Sequence, residues 1–330
     1  MMIFLMMLLL LPGSLEAGEL RTGATRVVVF GVDGLSTDGL QTANTPTIDA
    51  LIRSGTFTLR ARGVMPTVSA PNWASMLTGA GPEQHGITSN SWKRDNFTIE
   101  STTRDEDGFF PSIFTLLRSQ RPGTEMGFFY DWDELGELFN PKALNTFLFT
   151  RSYKETIAKA TDYILAKRPD LTFVYISEPD EVGHEHGHFT PRYYAEIESV
   201  DVHIGHLIEA MKHAGLYEGT NFFLITDHGG IGFGHGGESM NEIQIPWLVS
   251  GPGTVPDRML AEPVNSMQTA PTIAWLFHLT PPQEWIARPV LGAFTENRGV
   301  NVGSYVPKPH CSVKDSIYTQ ITPLTFASKD

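Results

Sequence analysis

A chain of 330 residues with 41% hydrophobic and 18% charged residues is long enough to bury one large core or two small ones without staples. Its formal charge of −13 excludes a nucleic-acid groove and a docking surface for anionic lipid, so an anionic substrate would have to be attracted by bound cations. The single cysteine, Cys311, excludes an internal disulfide and a cysteine-rich zinc site, while eleven histidines leave imidazole and carboxylate available as metal ligands.

At the N-terminus an apolar run ends at Leu11, short of the ~20 residues that cross a bilayer, so no stable membrane span is expected there. Pro12, Gly13 and the small Ala17 follow, which suits a signal peptide over residues 1–17, although a basic start is missing. A secreted or periplasmic protein is the expectation, retained at the membrane if that segment is not cleaved; a buried first helix is the alternative. Residues 18–330 contain no repeat, low-complexity tract or linker and read as a single domain with a small cap region around 90–150. Asn96-Phe97-Thr98 is a glycosylation sequon, of consequence in a eukaryotic source.

Apolar, β-branched or aromatic runs at 26–30, 171–176, 221–226 and 243–250 predict buried strands. Helical spacing lies between them, at 46–53 before Gly55, at 191–211 and at 267–276. In the second of these, Tyr194, Ile197, Val200, Ile204, Leu207 and Met211 recur at three- and four-residue steps. The alternation predicts an α/β fold, a mostly parallel central β-sheet flanked by helices on both faces. Ligands of such sheets sit outside the carboxyl ends of the strands. There Val27 to Phe30 runs into Asp33, Phe173 to Ile176 into Asp180 and His184, and Phe222 to Ile225 into Asp227-His228.

Each of these residues has a bland reading when taken alone. An isolated Asp-Gly is most often a turn, and a lone loop histidine is most often solvated. Together they offer carboxylate and imidazole donors suited to Zn²⁺ at one end of the sheet. Asp180 and His184 are close enough to grip one ion, His186 and His188 compete with His184 for that role, and His235 lies in a glycine-rich loop just beyond Asp227-His228. His203, His206 and His213 fall on the long predicted helix and read as surface or packing residues. Ser69, two residues before Pro71 at the start of a short apolar helix, suits a helix N-cap, a nucleophile, or both.

As an ordered set, these motifs resemble the alkaline phosphatase superfamily, and within it the type I phosphodiesterase/nucleotide pyrophosphatase branch. The set comprises Asp33; Ser69-Ala70-Pro71-Asn72 with Thr78-Gly79; His85-Gly86 with Asn90; Asp180-Glu181-Val182-Gly183-His184; and Asp227-His228-Gly229. The resemblance runs from about Val27 to Leu291. It implies hydrolysis of a small-molecule phosphate ester, a diester or pyrophosphate, through a covalent phosphoserine on Ser69. It also implies two zinc-like divalent ions. Asp33, Asp227 and His228 would hold the one that activates Ser69; Asp180, His184 and a further histidine would hold the other. Asn90, with the backbone N–H of Ser69, would hold a phosphate oxygen.

Three departures from the branch shape the expectation. Ser69 stands where threonine is usual. Ala70 stands where nucleotide-cleaving members carry a base-stacking aromatic, for which Trp73 or Tyr175 are possible substitutes. The last histidine ligand is usually far downstream; here His235 is the nearest fit, ahead of His278 and His310. Alternatives are a phosphomonoesterase, for which Lys93 or Arg94 would meet a terminal phosphate, an inactive secreted binding protein, and a sulfatase. Against the last, Ser69-Ala70-Pro71-Asn72-Trp73 ends in Trp where a sulfatase signature has Arg. The sequence leaves the oligomeric state open.

Overall fold

A computed structural model describes residues 26–295; the expected signal peptide and His310 lie outside them. Four strands come from the first half of the chain, β1 (Arg26–Val32), β2 (Gly55–Arg62), β3 (Met126–Tyr130) and β4 (Thr146–Phe149). Four more follow, β5 (Leu171–Ile176), β6 (Thr220–Ile225), β7 (Gln244–Ser250) and β8 (Arg258–Met259). They form one sheet in the order β4-β3-β5-β1-β6-β7-β2-β8. Neighbours pair in parallel except at β7, which runs antiparallel to β6 and β2.

Side chains alternate across the sheet, so each apolar run serves two cores. In β1, Val27 and Val29 enter one core, while Val28, Phe30 and Val32 enter the other. The helices that cover these faces include α1 (Pro46–Ser54), α2 (Ser69–Thr78), α3 (Ile113–Gln120), α4 (Tyr153–Lys167), α5 (Asp180–His186), α6 (Pro191–His213) and α7 (Thr269–Leu276). Trp73 of α2, Phe114 of α3 and Ile273 of α7 lie in the first core; Ile48 of α1, Ile157 of α4 and Ile204 of α6 lie in the second.

α6 begins where Thr190 Oγ1 accepts the Tyr193 N–H, with Pro191 in the first turn. Its buried stripe runs through Tyr193, Ile197, Val200, Ile204, Leu207 and Met211, the aliphatic members and Met211 each contributing about 1.5–3 kcal/mol on full burial. Tyr194, assigned to that stripe from sequence, is half-buried and donates to Asp38 Oδ2 (2.8 Å); its neighbour Tyr193 takes the core position. Asp201 of α6 accepts the Thr47 and Ile48 N–H groups (3.1 and 2.7 Å), capping α1 from outside that helix.

The stretch expected as a cap divides in two. Residues 86–112 carry no helix or strand beyond a bridge between Lys93 and Asn96. The remainder is built into the domain: α3 joins the first core, and β3 and β4 form one edge of the sheet. Among the described residues no helix is long and apolar enough to cross a membrane.

Candidate active site

β5, β1 and β6 lie side by side, with Val32 opposite Ile176 and Gly31 opposite Ile225. Asp33 and Asp227 therefore leave the sheet level with each other. Gly34 turns the chain with φ +67°, and a Cβ there would come within 2.7 Å of Asp180 Cβ, so glycine is required. Its N–H donates to Asp227 Oδ1 (3.1 Å). Asp33 Oδ2 accepts from the Tyr175 hydroxyl (2.6 Å) and from Trp73 Nε1–H (3.0 Å). This corrects the sequence expectation for those two aromatics. Both rings are buried in the first core and offer no stacking surface; their polar ends aim Asp33.

Ser69 is the first residue of α2 and is not its cap. Val68 is the N-cap, in an extended conformation and without a side-chain hydrogen bond. The Ser69 hydroxyl is thus left for the site and stands 3.2 Å from His228 Nε2. Asn72 sets the approach to the helix. Its Oδ1 accepts the Val64 N–H (2.7 Å), and its Nδ2 donates to the carbonyls of Val64, Pro66 and Val68 (3.2, 3.2 and 3.0 Å). Asn90 Oδ1 accepts the Ala70 N–H (2.8 Å), which leaves the amide Nδ2 as its donor. The matched His85 is a packing residue. It is buried, takes the Ile87 N–H on Nδ1, and meets Ser75 Oγ through Nε2 at 3.0 Å.

Three imidazoles converge under one rule. His184 Nδ1 bonds the Phe233 carbonyl (2.9 Å), His235 Nδ1 the Thr67 carbonyl (2.9 Å) and His228 Nδ1 the Gly229 carbonyl (2.8 Å). A carbonyl only accepts, so each Nδ1 carries a proton and each ring turns its Nε2 into the site. Without a cation, the Asp180 contact raises His184 to about 9, so its Nε2 is protonated there. His235 Nε2 lies 3.1 Å from His184 Nε2 and 3.7 Å from Asp180 Oδ2, which is 3.2 Å from His184 Nε2. His228 Nε2 lies 3.1 Å from Asp227 Oδ2 and 3.5 Å from Asp33 Oδ1.

Three carboxylate oxygens in this cluster, Asp33 Oδ1, Asp180 Oδ1 and Asp227 Oδ2, are buried without a hydrogen-bond partner. Burial, then the charges of Asp227 and Asp180, push the Asp33 carboxyl well above its ordinary range; burial and Asp180 push Asp227 up to about 7. Burial also acts to raise Asp180, but the His184 contact and the neighbouring imidazoles outweigh it and hold that carboxyl at about 2. Divalent cations answer the whole arrangement, and carboxylate with Nε2 imidazole is a zinc-type donor set. Ligand atoms of Asp180, His184 and His235 lie within 4.8 Å of one another, as do those of Asp33, Asp180 and His228. Asp180 thus stands between the two groups, a bridging position that spacing did not reveal.

The other residues singled out from sequence go elsewhere. His186 pairs with Glu185 (3.5 Å), and His278 is exposed at the end of α7. Lys93 pairs with Glu137 (2.9 Å); Arg94 lies over the Phe109 ring and donates to the Asp107 carbonyl. His188 is buried behind Asp180. Sequence reasoning missed Glu242, which pins the loop carrying His235 by accepting the N–H groups of Gly237 (2.7 Å) and Ser239 (3.1 Å). The one sequence signal for it was the Ser239-x-x-Glu242 capping spacing.

Residues 27–233 match the family described as type I phosphodiesterase / nucleotide pyrophosphatase. Ectonucleotide pyrophosphatase/phosphodiesterase family member 3 from Bos taurus is 29% identical over 215 residues, 62% of this chain and 24% of that protein. The chain therefore spans about a quarter of that relative's length. Murine ectonucleotide pyrophosphatase/phosphodiesterase 5, solved in complex with AMP, superposes with a TM-score of 0.66 at 20% identity, covering 78% of this chain and 96% of that one. A 2-O GAG sulfatase reaches the same TM-score at 14% identity, over 86% of this chain and 76% of its own. At those identities the likeness is one of fold.

Proposed function

The chain belongs to the type I phosphodiesterase / nucleotide pyrophosphatase family, and on that premise we propose that it hydrolyses phosphodiester or pyrophosphate bonds, with Ser69 as nucleophile and two divalent cations, zinc by donor chemistry, as cofactors. The observation that carries this reading is the Ser69 hydroxyl. It sits at the start of α2, 3.2 Å from His228 Nε2, beside buried carboxylate oxygens that have no hydrogen-bond partner. Asp33, Asp227 and His228 would hold the inner ion, and Asp180, His184 and His235 the outer one. Bound there, the cations supply Lewis-acid activation of the hydroxyl and neutralise charge on the attacking and leaving oxygens.

The protein's own residues do the rest. Ser69 Oγ gives up its proton to solvent and forms the new bond to phosphorus, and the leaving group departs with the electron pair of the bond that breaks and takes up a proton. Water then cleaves the phosphoserine and restores the hydroxyl. Throughout, the N-terminus of α2 and Asn90 Nδ2 face the phosphoryl oxygens, where negative charge is stabilised by the helix dipole and by fixed donors. A diester is favoured over a monoester because Lys93 and Arg94 are engaged by Glu137, Phe109 and Asp107. Ala70, next to the nucleophile, is 1% exposed and offers no ring to a nucleobase.

The test is paired turnover of bis-p-nitrophenyl phosphate and p-nitrophenyl phosphate, before and after chelation and with zinc added back. The diester should be cleaved faster, activity should vanish on chelation and return with zinc, and Ser69→Ala should lower it at least ~10³-fold. Undiminished turnover by Ser69→Ala would overturn the assignment, and a faster monoester reaction would make the protein a phosphatase.

A further inference from the structure

His188 is a buried imidazole at this end of the sheet for which the site described above has no use. Its side chain is 0% exposed, yet neither ring nitrogen has a hydrogen-bond partner. Leaving a buried polar group unsatisfied costs about 1–3 kcal/mol, so such a group calls for an explanation. Its Nε2 is 3.9 Å from Asp180 Oδ1, and that oxygen is also buried without a partner. The other oxygen of the same carboxylate, Oδ2, faces His184 and His235 at 3.2 and 3.7 Å. His188 therefore backs the carboxylate whose front meets the outer imidazole pair.

The placement of this ring is built into two elements. A Cβ on Gly183 of α5 would come within 2.5 Å of the ring, and a Cβ on Gly230 within 2.3 Å. Both positions must lack a side chain for the imidazole to fit. The Tyr193 ring stands 5.2 Å away, and the His188 N–H donates to the Gly232 carbonyl (2.7 Å), tying the residue to the loop that leads to His235. The 3.9 Å separation exceeds hydrogen-bond range by roughly 1 Å, a gap that rotation of one carboxylate can close.

We propose that His188 is a positioning residue: its Nε2–H donates to Asp180 Oδ1 and so directs Oδ2 toward the cation shared with His184 and His235. The proposal rests on the metal reading given under the proposed function. Partners of this kind set the orientation of a ligand, and losing one weakens metal affinity 10–100-fold.

The experiment is zinc titration of the full chain against a chromophoric chelator, in wild type, His188→Leu and His188→Gln. In His188→Leu one of two zinc sites should weaken by about 10–100-fold while the other holds. In His188→Gln, which restores an N–H donor, most of that affinity should return. The metal-free His188→Leu chain should melt no lower than wild type, because the ring nitrogens have no partner to lose. Wild-type affinity at both sites in His188→Leu overturns the proposal, as does a His188→Gln chain no better than His188→Leu. A wild-type chain that binds no zinc overturns it together with the metal reading. If zinc affinity is unchanged in His188→Leu and the wild type still hydrolyses diesters, the inference fails and the proposed function stands.

Discussion

Asp33, Asp227 and His228 stand at the ends of β1 and β6 with side chains no more than 3% exposed, whereas Asp180, His184 and His235 ride on α5 and a glycine-rich loop, with His184 47% exposed. The inner group is aimed by donors rooted in the sheet and core: Tyr175, Trp73 and the Gly34 N–H. Carbonyls of loop residues, Phe233 and Thr67, aim the two outer imidazoles. The loop in turn depends on Glu242 and on the bond from Thr67 Oγ1 to the Gly237 carbonyl (2.7 Å). Loops open at lower free energy than packed strands. The inner half is therefore preorganised by the fold, and the outer half by a smaller set of local bonds. During chelation the outer cation should leave first.

The largest effect separates the halves outright. On the proposed two-cation reading, Asp227→Asn should abolish zinc binding at the inner group and lower diester turnover by at least ~10³-fold, since that cation would activate Ser69. His184→Ala should instead leave one zinc per chain, bound at the inner group. Metal analysis of the two variants decides this, and loss of both ions from His184→Ala would show that the bridging Asp180 makes the halves interdependent. Next in size is Tyr175→Phe. It removes one of the two donors on Asp33 Oδ2 and leaves Trp73, so inner zinc affinity should fall about 10–100-fold with the outer site unchanged. Equal affinity in that variant would mean that Trp73 alone suffices.

The smallest effect lies at the exit of β5, outside both groups. Asp131 accepts the N–H and hydroxyl of Ser177 (3.1 and 3.0 Å) at the exit of β5, and burial pushes its carboxyl up to about 7. The unfolded value is about 4, so between those pH values the folded chain binds the proton more tightly. The corresponding stability is present at low pH and falls as pH rises through the window. Asp131→Asn should flatten that part of the melting-temperature profile, and an unaltered slope would assign the titration to another group.

Much of this site was legible in the sequence because its parts are local. Asp33, Asp180 and Asp227 each follow an apolar run that can only be a buried strand, and strand ends of a parallel sheet face the same way. Ser69 was legible as a site residue, but its competing role as a cap was not resolved until the backbone placed Val68 there. Trp73 and Tyr175 were read for their rings when their polar ends mattered. Nothing near Asp33 in the chain signals a hydroxyl 142 residues away. Tyr193 and Tyr194 fit the helical stripe almost equally well, and the packing of α6 against its neighbours chose between them.

Taken by itself, the sequence determined the fold class, the strand ends that carry the acids, and the His and Ser residues available to work beside them. Periodicity and turn chemistry act over a few residues and survive in one dimension. Tertiary structure alone decided that Asp180 stands between two groups, that three imidazoles turn their Nε2 atoms inward, and that His188 lies behind Asp180 while His186 faces out. Those outcomes depend on carbonyls and carboxylates contributed by distant segments, and hydrogen bonds between distant segments leave no periodic trace in the chain.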